Sequence, residues 1–382
     1  MLSNQRNLFN LGDEMIYINH AYMSPQLNSI TAIGVENLKR KERPYYINQE
    51  DFFSEKEILR ARFAALIEAP DVKSVAIIPS VSFGIATAMK NIPFHKNDEI
   101  LVLEEQFPSN FYTWKELEKT QGVQLKTIKA PKVTEGRAKK WNEDILEGIN
   151  ENTKVIAIPH VHWADGTKFD LPAIRKRAND FQSYLIIDGT QSVGAMPFSV
   201  LEIEPDALIC GGYKWLMGPY SLGVAYFGDR FNHGTPLDNN WMNHEQSEDF
   251  AKLVHYNENF KAKALRYDVG ESSNFVLTPM LSEGIRQLLA WTPDGIQEYC
   301  KELTSEAIAT LRQHGYFIED AAHRGHHLFG IHLSTEEELL ATRTKLLAHK
   351  IHLSYRGTSI RVSPHLYTTQ QDIQQLISCL CS

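Results

Sequence analysis

Apolar positions along the chain fall into two alternating textures, short β-rich runs and longer windows with helical spacing. SVAIIPS (74–80) predicts a strand, and FGIATAMKN after it a helix. EILVLEE (99–105) predicts a second strand with a helix over 110–121, and KVIAIPHV (154–161) a third with a helix from Leu171 to Phe181. SYLIIDG (183–189), ALIC (207–210) and GVAYF (223–227) continue the series. Such nearly unbroken apolar runs, separated by helices, indicate a mainly parallel sheet buried on both faces.

Beyond residue 262 the texture changes. Helical windows cover 278–292 and 294–314, the second closed by Gly315. A strand at 328–333, a helix at 336–349, strands at 351–355 and 359–363 and a last helix from 370 follow. The pattern predicts an α/β protein: a large domain with a mainly parallel sheet sandwiched by helices, and a smaller α+β C-terminal domain. Residues 1–28 have no core of their own and should pack on both, leaving 29–262 as the large domain and 263–382 as the small one. A helix is expected to start near Ser29. Ligands of such sheets bind outside the carboxyl ends of the strands.

Composition narrows the function classes. The 382 residues are 43% hydrophobic, enough for a full core, and carry a formal charge of −8, which disfavours nucleic acid. Lys39-Arg40-Lys41 and Arg137-Lys139-Lys140 have acidic neighbours and read as solvated helix faces or loops. No apolar run has membrane-spanning length. MLSNQRNLFNLGDE lacks the apolar stretch of a signal peptide, and four cysteines suggest no disulfide framework, so a cytoplasmic setting is expected.

In IIDGTQSVGA (186–195), Asp188 stands where an apolar strand ends and Gln191 follows it. In CGGYKWLMGP (210–219), Lys214 sits between Tyr213 and Trp215 in a Gly-rich turn. Alone, a strand-end aspartate is often a cap and a lysine a surface charge. As a pair they suit pyridoxal 5′-phosphate (PLP), whose ring nitrogen needs a carboxylate and whose aldehyde needs a lysine amine of lowered pKa. The phosphate needs backbone N–H donors at a helix start, which Ser80-Val81-Ser82 supplies; Ser82 reads equally as an ordinary N-cap. Phe107, after the strand at 99–105, could stack on a cofactor ring or be a buried loop aromatic. Arg361 interrupts an apolar β pattern, as a surface ion-pair partner or an inward-facing carboxylate clamp.

The order Ser80-Val81-Ser82, Phe107, His160, Asp188-Gly-Thr-Gln191, Tyr213-Lys214 and Arg361 resembles the class V aminotransferase group of fold-type I PLP enzymes, over nearly the whole chain from YINHAYMSP (17–25). That group includes cysteine desulfurases, kynureninases and isopenicillin N epimerase. The resemblance implies a Schiff base on Lys214, Asp188 at the pyridine nitrogen, Gln191 near the ring hydroxyl and Phe107 on the ring. It further implies Val81 and Ser82 at the phosphate, with Tyr213 adding its hydroxyl, and Arg361 as the clamp. Asn19 and His20 fall where the family's N-terminal segment borders the substrate. Trp163 occupies the place where an asparagine often approaches the ring hydroxyl. Members are usually homodimers with sites at the interface, and YDVGESSN (267–274) resembles the piece that reaches the neighbour's phosphate, through Ser272 or Ser273. Desulfurases carry a loop cysteine before the clamp arginine; LSYRGTSIR (353–361) has none, so a persulfide mechanism is not expected.

The expected reaction is transamination of a small amino acid or amine, which requires the fewest special groups. β-Lyase, kynureninase-like hydrolase and epimerase are the alternatives within the same chemistry. A different class, a metal-dependent hydrolase, would use His160 and His162, which alternate on a strand end, with Asp165. His323, His326 and His327 form a second cluster, but no HExxH or CxxC spacing supports a metal, and none is expected. A binding protein that has lost catalysis is disfavoured by the retention of Asp188, Lys214 and Arg361. Neither GxGxxG nor GxxxxGK[ST] is present to suggest a dinucleotide or ATP enzyme.

Overall fold

A computed structural model describes residues 2–382. Strand β1 (Ile16–Tyr17) and helices α1 (Asn28–Arg40) and α2 (Ser54–Leu66) lead into β2 (Val75–Ile78) and α3 (Val81–Lys90). Then come β3 (Glu99–Leu103), α4 (Tyr112–Gln121), β4 (Gln124–Ile128), α5 (Arg137–Gly148), β5 (Thr153–Pro159) and α6 (Leu171–Asp180). β6 (Tyr184–Asp188), the single turn α7 (Val200–Ile203), β7 (Ala207–Gly211) and β8 (Gly223–Phe227) complete the first half. The second half runs through α8 (Leu277–Trp291), α9 (Pro293–Gln313), β9 (Phe329–His332), α10 (Glu336–Ala348), β10 (Ile351–His352), β11 (Ser354–Arg356), β12 (Ser359–Val362) and α11 (Gln370–Cys381).

Seven strands form the large sheet in the order β2-β8-β7-β6-β5-β3-β4. β4, β3, β5, β6 and β7 pair in parallel, while β8 runs antiparallel to both of its neighbours. Every residue of β2, β6 and β7 is buried, so both faces of the sheet are covered and two apolar layers result. This arrangement matches the expected α/β fold with a mainly parallel sheet. The order reverses between β3 and β5, with β4 added outside β3 and β5 to β8 added on the other side, and the crevice lies at the carboxyl ends of these strands.

A second sheet, β11-β12-β9, is antiparallel and packs with α9, α10 and α11 around its own core. The N-terminal segment ties into this part, since β1 pairs in parallel with β10 and Asn19 bridges to Ser363. Phe9, from the same segment, packs against Trp291 and Tyr367. Helix α8 lies against α1 and α2, and its Leu281, Ile285 and Leu288 join the core under the large sheet. The smaller core takes Ile18 from the N-terminal segment and otherwise begins within α9.

Local detail departs from the sequence reading at two places that bear on the site. Helix α3 starts at Val81, with Ser80 rather than Ser82 as N-cap, its Oγ accepting from Phe83 N at 3.3 Å. Arg137 is not a solvated cation: it opens α5 buried, paired with Asp165 at 2.9 Å and stacked on Trp141.

Candidate active site

The strand ends converge on a cavity of about 290 Å³ whose wall includes Pro79 after β2, Pro159 of β5, Asp188 of β6 and Gly211 of β7. Gly212 follows, packed so closely on the Leu222 carbonyl that an added Cβ would lie 2.5 Å from it. This close approach lets the chain turn sharply and carry Lys214 back into the cavity wall.

Lys214 is 6% exposed and faces the rings of Phe107 and Tyr213, with Nζ 5.3 and 5.4 Å from their centroids. Burial, and after it the charge of Arg361, pushes its amine down to about 7, against a smaller opposing pull from Asp188. A lysine in this state is half neutral near pH 7 and able to act as nucleophile and base. Asp188 is 7% exposed and accepts from Thr190 N at 3.0 Å. Burial raises its carboxyl, with the Thr190 hydrogen bonds working in the opposite direction. A buried carboxylate on a cavity wall that makes no direct ion pair suits a protonated ring nitrogen.

At the other side of the cavity the Ser80 and Ser82 hydroxyls lie 3.0 Å apart beside Val81, at the N-terminus of α3. Phe107 and Trp163 form an edge-on pair, ring centroids 5.3 Å apart, on the same wall. Hydroxyls at a helix start, an aromatic wall, a buried acid and a depressed lysine share one chamber, and the residues present fit PLP.

Several side chains named from sequence have other duties here. Gln191 lines the cavity, but its amide is engaged: Nε2 donates to Ala21 O at 3.1 Å and Oε1 accepts from Trp215 Nε1 at 2.8 Å. Trp163 also lines it, yet its indole N–H goes to Glu105 O at 2.7 Å and is not aimed at a ring hydroxyl. Tyr213 packs edge-on to Tyr220, which stands 63% exposed on the same cavity wall.

Asn19 and His20 do not border the cavity. The Asn19 side-chain carbonyl accepts from Ser354 Oγ at 2.7 Å, and the same Oγ accepts from Arg361 at 3.2 Å, so Asn19 supports Arg361 at one remove. His20 lies beneath Lys214, its Nε2 3.2 Å from the Lys214 carbonyl and its ring stacked between Trp215 and His365. Ser272 and Ser273 are buried in their own chain, Ser272 Oγ 3.4 Å from Asp268 and Ser273 beside Met242. They therefore offer no hydroxyl to a second copy in this conformation. Arg361 does not line the cavity either; it is buried one residue away, donating to the carbonyl of Trp163, which does line it, at 2.8 Å.

The histidine clusters do not converge. His160 packs edge-on against Phe198, whereas His162 spans Asp165 and the Glu105 carbonyl, at 3.2 and 3.1 Å. His327 is buried against Trp215, whereas His323 borders a separate surface pocket with His160. Among the described residues no three His, Cys, Asp or Glu side chains are placed to hold a metal ion. None of the four cysteines lines the cavity. Sequence reading missed two contributors: Arg356, stacked over the Trp163 ring, and Glu105, whose carbonyl anchors both His162 and Trp163 just before Phe107. Glu105 holds φ +59, a rare conformation for a residue with a side chain.

Fold and chamber together define a PLP-dependent enzyme of fold type I, and comparison with known proteins agrees. The family described as "Aminotransferase class-V" matches residues 42–376, and the chain belongs to that family. An uncharacterized aminotransferase of Bacillus subtilis, YcbU, is 24% identical over 332 residues, covering 86% of this chain and 84% of that one. A solved cysteine desulfurase of Thermococcus onnurineus superposes with a TM-score of 0.82 at 18% identity, covering 100% of this chain and 98% of that one. A C-DES mutant solved with glycine covalently linked to its PLP cofactor superposes at 0.86 with 16% identity and full coverage of both chains. PLP is the cofactor, and an amino acid is the class of substrate. No helix among the described residues is long and apolar enough to cross a membrane.

Proposed function

We propose that the chain is an aminotransferase for a small amino acid, with Lys214 as the group that carries the proton. The observation supporting this most directly is the state of Lys214: buried, pushed down to about 7, and set in a cavity wall where Asp188 is the one other charged residue among those described. Bound here, PLP supplies an aldehyde for the substrate amine and a protonated ring that draws electrons from the bonds at Cα. Asp188 holds the proton on that ring nitrogen. Ser80, Val81, Ser82 and the start of α3 bind the phosphate, and Phe107 covers a face of the ring. Lys214 Nζ would take the proton from the substrate Cα and hold it for return, and Arg361 would orient the substrate through its carboxylate. Moving a proton between two carbons needs one mobile base. Among the described residues no second carboxylic acid lines the cavity to assist the departure of a β-substituent, which supports transamination over lyase chemistry.

A homodimer is proposed alongside, with the second copy covering the exposed Tyr220 beside the cavity; sedimentation at micromolar concentration checks it. The test of function starts with absorbance and borohydride reduction of the PLP-loaded protein. The label should map to Lys214, and Lys214→Ala should lose the reducible band. Mixed with an amino acid and no acceptor, an aminotransferase releases one 2-oxo acid per site without ammonia. Continuous ammonia release would instead make the protein a lyase.

A further inference from the structure

Strands β11 and β12 form a hairpin in which Ser354 stands opposite Arg361 and Arg356 opposite Ser359. Residues two apart on a strand, and residues directly opposed across an antiparallel pair, share one face of a sheet. Ser354, Arg356, Ser359 and Arg361 therefore point one way, while Tyr355 and Ile360 point the other, into the smaller core. The arginine face meets Trp163: Arg361 donates to its carbonyl at 2.8 Å, and the Arg356 guanidinium lies 5.0 Å from its ring centroid. Both cations are close enough to Lys214 to depress its amine.

These two arginines are unusual in this protein. Buried Arg60, Arg137 and Arg175 are matched by Asp268, Asp165 and Asp206. Arg324, buried without an acid in direct contact, directs its fork to the Glu319 and Gly325 carbonyls. Arg361 is 1% exposed and bonds only Trp163 O and Ser354 Oγ; Arg356 bonds only the Tyr355 carbonyl. Each leaves a buried Nε–H without an acceptor. Burial, and the like charge of Arg356 after it, pushes Arg361 down to about 9. Desolvated Arg361, with half-buried Arg356 beside it and no acid on either, is costly unless an anion completes the pair. The cofactor phosphate is not that anion, because its hydroxyl cradle is at Ser80 and Ser82, whereas both arginines reach the cavity only through Trp163, on which they bear.

We propose that Arg356 binds a second carboxylate, so that the preferred substrate is an amino dicarboxylic acid held by its α-carboxylate at Arg361 and its side-chain carboxylate at Arg356. The proposal rests on the PLP-site reading above and adds the substrate class to it. Trp163 serves as the floor between the two guanidinium groups.

Unreactive anions test it without relying on turnover. The PLP-loaded protein is titrated with succinate and with butyrate, reading the perturbation of the cofactor absorbance. Succinate should bind about 10–100-fold more tightly, the usual worth of one added charge-assisted hydrogen bond. Arg356→Gln should remove that preference while leaving butyrate within about twofold, and Arg356→Lys should restore part of it. Arg361→Gln should weaken both anions. Equal binding of succinate and butyrate by the unsubstituted protein would overturn the proposal, as would an Arg356→Gln variant that weakens both alike, since Arg356 would then only support Trp163. Failure of the underlying PLP reading shows separately, as a protein with no reducible chromophore on Lys214.

Discussion

Replacing Arg137 by Met tests whether the buried Asp165 hub holds the site together. Arg137 bonds deeply covered Asp165 at 2.9 Å and Thr167 Oγ1 at 3.2 Å, and half-buried Pro131 O at 3.2 Å. Methionine keeps much of the volume over Trp141 but leaves Asp165 with His162, Thr167 N and the distant His332. Breaking one partner out of a buried pair costs about 3–5 kcal/mol. With an unfolding entropy of about 2.1 cal/mol/K per residue over 382 residues, the midpoint slope is roughly 0.8 kcal/mol/K, so Tm should fall by ~4–6 °C. The pH dependence gives a second signature. Burial alone would raise the Asp165 carboxyl, but His162 and Arg137 outweigh it and hold it far below the ordinary carboxylate range. A depressed acid stabilises the fold above its unfolded pKa of about 3.9 and loses that contribution as pH falls below it. The gap between wild type and Arg137→Met should therefore be constant from neutral pH down to about 5, then narrow toward pH 3. Calorimetry across that range is the assay. A Tm change under about 1 °C, or a gap that persists unchanged at low pH, would refute the reasoning.

Two further outcomes follow from the geometry. Because Lys214 is pushed down to about 7 by burial and then by Arg361, its neutral fraction grows as pH rises toward that value. The rate at which the cofactor-free protein captures PLP should rise about tenfold per pH unit below 7 and level off above it; stopped-flow traces bending near pH 10 would contradict this. Gly330→Ala should cost roughly 1–3 kcal/mol, since the new Cβ would lie 2.9 Å from Asp165 Cα and 2.6 Å from Ser359 Oγ. A melting curve that matches wild type would mean the smaller sheet can back away from Asp165.

The strands that build the site were legible because they are apolar throughout and end at turn residues, so Asp188 and Lys214 could be placed at strand ends from composition alone. β4 escaped because it is an edge strand with three half-buried positions and a polar look, QLKTI. α5 escaped for a different reason. Ala138, Trp141 and Ile145 have helical spacing, but Arg137, Lys139 and Lys140 look alike in sequence, and only tertiary burial separates the first from the others. Arg356 carried a readable signal: strands on both sides of the Gly357 turn put it on the same face as Arg361 by parity. The engaged amide of Gln191 and the indole of Trp163 had no sequence signature, since their partners are backbone carbonyls and a ring N–H far along the chain.

One residue, Trp163, has its carbonyl gripped by Arg361 and its indole gripped by the Glu105 carbonyl, two residues before Phe107. The proposed acid clamp on the smaller sheet and the aromatic wall of the chamber are therefore tied to a single shared bolt. Any redesign that shifts β12 to accept a different acid will also drag the loop that carries Phe107. Libraries aimed at new specificity should vary positions 105, 107, 163, 356 and 361 together, because improvements found at one of them alone will be cancelled by misalignment at the others.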